Sequence, residues 1–256
     1  MLNNLQVIAI VPARGGSKGI RYKNLCKVGG ISLIEWAALL VNALPWVDRA
    51  LLSTDDSRLA NEGKRTGLSV PFIRPKELAT DTALGIDVWR HAWLSAEEYW
   101  KTHFDISVYL QPTTPLRRLE HIEKVVNTLV KGTFDAATTI ASVPGHFVPE
   151  KILQIDSKNV VRPFIKGKAV SNRQDAPVYY YRTGACYAAW RETIIEKRAI
   201  IEHACAGIII EEPTANIDTP MDLEWANYLH KKYYSNLIEE LKPLNQKHIS
   251  QKDILL

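Results

Sequence analysis

Before Glu35 the chain contains no acidic residue, although the same segment carries Arg14, Lys18, Arg21, Lys23 and Lys27. Cysteine is nearly as scarce. Cys26, Cys186 and Cys205 are the only three, and no pair has the spacing of a zinc or redox motif. An odd, sparse set points to reduced thiols and a cytoplasmic location. No apolar run reaches the roughly 18 residues that a membrane-crossing helix needs. No basic segment precedes an apolar stretch at the start, so a secretory signal is not expected. The seven histidines are scattered without an H-x-H or HExxH pattern, which removes the common histidine-based metal sites. G-x-x-x-x-G-K-[ST] and G-x-G-x-x-G are both absent, so ATPase and dinucleotide readings lose their main support. Net charge is only +4, with no long basic stripe, and nucleic acid is not an expected partner.

What remains is ordinary for a globular protein. The 256 residues are 46% hydrophobic and 23% charged, which suits one large domain with a sizeable core. Strand and helix patterns alternate. Val7 to Val11 reads as a buried strand, and Ser32 to Glu35 as a capping box opening a helix to about Leu44. Val47–Ser53 is a short strand, and Thr54-Asp55-Asp56 suits the cap of a helix ending near Gly67. Leu68–Ile73 reads as another strand. A long helix runs from about Ala83 to Trp100, with Trp89, Trp93 and Trp100 on one face. Strands follow at Ile106–Leu110 and Ala136–Val143, separated by a helix to Gly132. Tyr179–Trp190 returns to the sheet, and Gly207–Ile210 is the last strand. Thr219 and Pro220 open a helix to about Leu241.

This alternation predicts an α/β fold, a three-layer α/β/α (Rossmann-like) arrangement on a mostly parallel sheet. Residues 144–177 break the pattern with short strand-like pieces and read as a small inserted lobe. The main domain spans 1–241, and residues 242–256 form a polar tail.

In such sheets ligands sit beyond the C-terminal strand ends. Three polar segments fall there. The first holds Gly15, Gly16 and Gly19 among the cations, a pattern suited to a polyanion: glycines admit backbone N–H groups to phosphate oxygens and the cations neutralise them. The second is Gln111-Pro112-Thr113-Thr114-Pro115-Leu116-Arg117, where the Gln111 amide could order water, bind a sugar or stabilise the turn. The third is Asn216-Ile217-Asp218-Thr219-Pro220. Asp218 suits a hard cation such as Mg²⁺, or else helps to cap the next helix. Arg173, Gln174 and Asp175, with Tyr179 to Arg182, would bind a polyhydroxylated acid or form a subunit interface.

Five blocks, in order, resemble the acylneuraminate cytidylyltransferases, the CMP-sialic acid synthetase family. They are Ile8 to Ile20 with Lys23-Asn24, then Arg74-Pro75 with Leu78 to Ala83, then Leu110 to Arg117, then Arg173-Gln174-Asp175 with Gly184-Ala185, and finally Ile217 to Pro220. The resemblance implies transfer of a cytidylyl group from CTP, with Mg²⁺, to the anomeric hydroxyl of a 2-keto-3-deoxy sugar acid, with release of pyrophosphate. It implies that Arg14, Ser17, Lys18 and Lys23 hold the triphosphate, Arg14, Lys18 and Lys23 acting in catalysis. It further implies that Asn24, Arg74 and Ala83 line the cytidine pocket, and that Gln111, Arg173, Gln174 and Tyr179 meet the sugar acid. Asp218 and Asn216 would hold the metal. A homodimer is implied, the lobe of one subunit reaching into its partner's site.

Four positions depart from the family pattern. Arg21 replaces a proline common in the first loop, and Gly85 sits where some members have a serine. Asn216 stands where an aspartate usually makes D-x-D with the metal residue, and Thr183 stands where an asparagine usually precedes Gly-Ala. The expected substrate is a nonulosonic acid such as neuraminic, legionaminic or pseudaminic acid. The alternatives are an octulosonic acid enzyme, a non-catalytic nucleotide-binding homologue, and a glycosyltransferase; the last should carry a D-x-D motif midway along the sequence, and none follows Ile106–Leu110.

Overall fold

A computed structural model describes residues 2, 4–165, 177–242 and 244. Along the chain, β1 (Val7–Pro12) leads through a glycine-rich loop to a two-strand ribbon, β2 (Lys27–Val28) and β3 (Ile31–Ser32). Then come α1 (Leu33–Asn42), β4 (Arg49–Ser53), α2 (Ser57–Arg65), α3 (Gly85–Trp100), β5 (Ile106–Tyr109), α4 (Leu119–Lys131) and β6 (Ala136–Ser142). A short hairpin of β7 (Leu153–Ile155) and β8 (Val161–Pro163) precedes β9 (Tyr180–Trp190), β10 (Cys205–Ile209) and α5 (Pro220–Tyr233).

The central sheet has six strands in the order β10-β6-β9-β5-β1-β4. β1 lies parallel to β4 and β5, and Ile10 pairs with Leu51 on one side and Tyr109 on the other. β10 is parallel to β6. β9 alone runs against its neighbours, with Tyr109 opposite Tyr187 and Ser142 opposite Tyr180. The expected mostly parallel α/β sheet is therefore present.

β1 shows why its sequence is apolar throughout. Val7, Ala9 and Val11 pack into one core with α1, α2, α4 and α5. Ile8 and Ile10 point the other way, into a second core built on Trp89 and Trp93 of α3. A strand covered on both faces has no solvent side, so alternation disappears. Trp89 donates to Ser107 Oγ at 2.9 Å and stacks on Tyr109, which satisfies its buried N–H.

The helix starts follow local chemistry. Ser32 Oγ accepts from Glu35 N at 3.0 Å, one half of the expected box; the Glu35 carboxylate turns instead to Arg65 at 2.5 Å. Asp56 caps α2 through Arg58 N. Thr219 caps α5, with Asp222 bonding back to Thr219 N at 2.7 Å and Pro220 in the first turn. Such a cap contributes about 1 kcal/mol. His121 Nδ1 accepts from Arg118 N at the start of α4.

Two expected elements differ. Leu68–Ile73 is not a strand: Ser69 alone pairs with Leu51, because Pro71 has no N–H to continue the ladder. The C-terminal helix stops at Tyr233 rather than Leu241. Tyr234 turns inward, is 1% exposed and donates its hydroxyl to the Pro213 carbonyl at 3.0 Å, and residues 237–242 are helical again. No helix among the described residues is long and apolar enough to cross a membrane.

Candidate active site

Four chain segments meet beyond the ends of β1, β4, β5 and β10. After β1, the Ala13 N–H bonds the Ser53 carbonyl and the chain then leaves the sheet. The basic loop is held from beneath: Gly15 N donates to Asp55 Oδ1 at 2.9 Å, and buried Asn24 donates to the Arg14 carbonyl at 3.1 Å. So of the two acids expected to cap α2, Asp56 does so and Asp55 serves the loop. Gly19 packs so closely on the Asp218 carbonyl that a β-carbon there would collide with it. Ile217 N donates to the Thr113 carbonyl at 2.8 Å, which joins the Gln111 segment to the Asp218 turn.

The result is an open cavity of about 380 Å³. Arg14, Ser17, Lys23, Asn24, Arg74, Ala83, Gln111, Asn216 and Asp218 all line it. Lys18 lies next door, in a recess of about 300 Å³ shared with Arg14, Ser17 and Asp81. Tyr179 is not in the lining: its hydroxyl donates to Glu150 at 2.5 Å in the lobe. Arg173 and Gln174 lie outside the described residues.

The cations meet carboxylates of neighbouring segments. Lys23 Nζ meets Asp218 Oδ1 at 2.7 Å, and the Asn216 amide donates to Asp218 Oδ2 at 3.3 Å. Asp218 does not cap α5, since Thr219 and Asp222 perform that task. Arg14 donates to the Thr80 carbonyl at 2.8 Å and to Asp81 at 2.7 Å. Arg74 is different. It is 4% exposed, its nearest carboxylate is Asp55 at 3.9 Å, and its Nε and Nη2 have no hydrogen-bond partner. Burial lowers its pKa, but a guanidinium keeps its proton. Buried donors without acceptors are costly, which sets Arg74 apart from the paired cations of this cavity.

Gln111 is set by groups beneath it. Arg117 is fully buried and donates to the carbonyls of Ala185 and Gln111, the latter at 2.5 Å. Burial lowers its pKa to about 10. Gly184 has φ +76, and a side chain there would press on the Gln111 amide oxygen at 2.9 Å. Asp55, Asp81, Tyr109 and Arg117 join the site without having been singled out from sequence. Asp81 and Arg117 fall inside blocks that the family resemblance covers, which was the available signal. Tyr109 looked like an ordinary strand residue.

A mostly parallel sheet with glycines and cations at one rim and an acid opposite them has the charge and backbone geometry that suit a nucleotide. The sequence model described as Cytidylyltransferase matches residues 8–249, and the chain belongs to that family. Among similar proteins, the post-translational flagellin modification protein B of Campylobacter coli is 28% identical over 229 residues, covering 89% of this chain and 96% of its own. The CMP-N,N'-diacetyllegionaminic acid synthase of Legionella pneumophila is 27% identical over 243 residues, with 94% and 98% covered. A solved CMP:2-keto-3-deoxy-manno-octonic acid synthetase complexed with CTP shares the fold at a TM-score of 0.65 and 17% identity, covering 89% of this chain and 99% of that one.

Proposed function

We propose that this chain activates a nonulosonic acid with CTP, forming a CMP-sugar and pyrophosphate. The anomeric hydroxyl attacks the α-phosphorus, the bond to the β-phosphate bridging oxygen breaks, and the hydroxyl proton is lost to solvent. The observation that carries this reading is the shared cavity of Arg14, Lys23, Arg74, Gln111 and Asp218. Arg14, Ser17, Lys18 and Lys23 hold the phosphates, and the cations oppose the charge that grows on the leaving group. Asn24, Arg74 and Ala83, which line one side of the cavity, receive the base. Gln111 faces the sugar acid. The family resemblance adds Arg173, Gln174 and Tyr179. The name of the Legionella relative supports a nonulosonic acid over an octulosonic acid.

The donors at the turn fit a hard cation: one carboxylate, Asp218, and one amide, Asn216, both against the phosphate side. When bound, Mg²⁺ would neutralise phosphate charge there. As it stands the Asn216 amide donates to Asp218, so Asp218 is the principal ligand. Asn216→Asp should leave turnover intact and lower the Mg²⁺ concentration for half-maximal rate; loss of activity would remove Asn216 from the metal site.

A homodimer accompanies the reading. The hairpin strands β7 and β8 expose Leu153, Ile155 and Val161 by 57 to 65%, a surface suited to a second copy. A cytoplasmic location is supported by three unpaired thiols.

The deciding experiment is pyrophosphate release with CTP and Mg²⁺ against neuraminic, legionaminic, pseudaminic and octulosonic acids. Release with one nonulosonic acid establishes reaction and substrate together. Release with the octulosonic acid alone transfers the assignment to that substrate. No release with any acid, while CTP still binds, points to the non-catalytic homologue.

A further inference from the structure

The two outermost cations of the phosphate loop are held by a single carboxylate. Asp81 Oδ1 accepts from Arg14 Nη2 at 2.7 Å, and Oδ2 pairs with Lys18 Nζ at 2.8 Å. The neighbouring Thr80 carbonyl takes the other Arg14 nitrogen at 2.8 Å. Among the described residues neither cation has another carboxylate within ion-pair distance. Both carboxylate oxygens are used, much as two oxygens of a phosphate would be. Asp81 belongs to no helix or strand; it sits in the connection between the turn Lys76–Ala79 and α3. Its side chain is 42% exposed and that of Lys18 84%. Exposed pairs of this kind are weak and exchange readily.

We propose that Asp81 is a displaceable counter-ion that competes with the outer phosphates for Arg14 and Lys18 and so speeds the release of pyrophosphate. This rests on the function proposed above. In the empty protein Asp81 fills the place of the outer phosphates. A carboxylate brings one negative charge, whereas a β,γ-diphosphate brings about three and more oxygens, so the triphosphate takes Arg14 and Lys18 from it. A monophosphate, which ends at the inner position, cannot compete at these cations and gains nothing from them. After bond cleavage the carboxylate returns to the cations and offsets their hold on pyrophosphate, which hastens its departure. Asp81 thereby lowers affinity for substrate and product alike at the outer positions, and raises turnover.

The test compares the wild type with Asp81→Asn, which keeps the shape and removes the charge at an exposed position. Glu77→Gln, an exposed acid on the same segment, controls for general charge effects. Calorimetric titrations use inorganic pyrophosphate, CTP and CMP in turn, and steady-state kinetics separate kcat from KM. In Asp81→Asn, pyrophosphate and CTP should bind about three- to tenfold tighter, CMP should bind as before, and kcat and KM should fall together. Glu77→Gln should leave all three affinities in place. Unchanged or weaker pyrophosphate and CTP binding in Asp81→Asn would overturn the proposal, as would an equal gain for CMP. A wild type that binds pyrophosphate but not CTP would instead count against the proposed function, and tighter pyrophosphate binding in Asp81→Asn would still uphold the counter-ion.

Discussion

The phosphate loop and the β7–β8 hairpin both stand outside the sheet, yet they are held in opposite ways. The loop is tied into its own chain by Asp55, Asn24, Asp81 and the Asp218 turn. The hairpin is a two-stranded sheet by itself, with Leu153 60%, Ile155 65% and Val161 57% exposed. An isolated two-stranded hairpin is marginal in water. One region is therefore charge-held within the chain, and the other leaves apolar side chains exposed. Polar geometry can be finished by a few directed bonds, whereas an apolar face is finished only by area.

The strongest way to sharpen this contrast is to remove one cation. Lys18→Ala should lower kcat/KM for pyrophosphate release about 100- to 1,000-fold, since it deletes a phosphate contact and no core volume. Its melting temperature should match that of the wild type, and near-normal turnover in the folded variant would sink the loop assignment. Gly19→Ala comes next. The added methyl group meets the Asp218 carbonyl, so the loop and the metal-side turn must part. An activity loss of about 100-fold is expected, because misplacement of about 1 Å costs that much; CTP binding by calorimetry should weaken as well. Unaltered kinetics would show that the two segments need not touch.

Leu153→Asp combined with Ile155→Asp attacks the other region. Sedimentation velocity should show a dimer for the wild type and a monomer for the variant, with helical circular dichroism unchanged. A wild-type monomer, or a dimeric variant, would break the comparison at its apolar half. The mildest effect concerns pH. Lys18 first, then Arg14, holds the Asp81 carboxyl below the usual aspartate range. Its folded pKa is depressed, so its pairing is complete above the ordinary value of about 3.9 and is lost only as pH falls through the lower folded value. An NMR titration of the carboxyl carbon should show a midpoint below about 3.9 in the wild type. Lys18→Ala should move that midpoint upward. An Asp81 that titrates at the ordinary value would show that the clamp does not persist in solution.

Much of this organisation was legible from sequence because its causes are local. Val7 to Val11, the Ser32 and Thr219 caps and the glycines of the first loop each obey rules that act over a few residues. Nine of the expected site residues share one cavity. Seven of them follow β1, β5 or β10, whose ends share a rim, whereas Arg74 and Ala83 follow no strand. Other features depend on distant partners. The direction of β9 is invisible because Thr183 to Ala189 are buried on both faces and read alike either way. The break at Tyr234 depends on a carbonyl at Pro213, and the burial of Arg117 on two carbonyls, one of them at Ala185. Asp55 and Asp56 are adjacent and chemically identical, so only the fold decides which caps a helix and which braces the loop.

The reversed strand has a consequence for how such a protein can vary. β6 ends at Ser142 beside Tyr180, where β9 begins. Everything between them is an excursion that leaves and re-enters at adjacent points on the rim where the cavity opens. Its ends are already stitched side by side by the ladder. Residues can be added to it, removed or redrawn without rethreading any strand, at only a slowly growing entropic penalty. A parallel strand in the same slot would have required a crossover the full length of the sheet, and would have returned the chain to the far side. By running backward, β9 leaves this stretch free to diverge at the site's doorstep while the nucleotide end stays as it is.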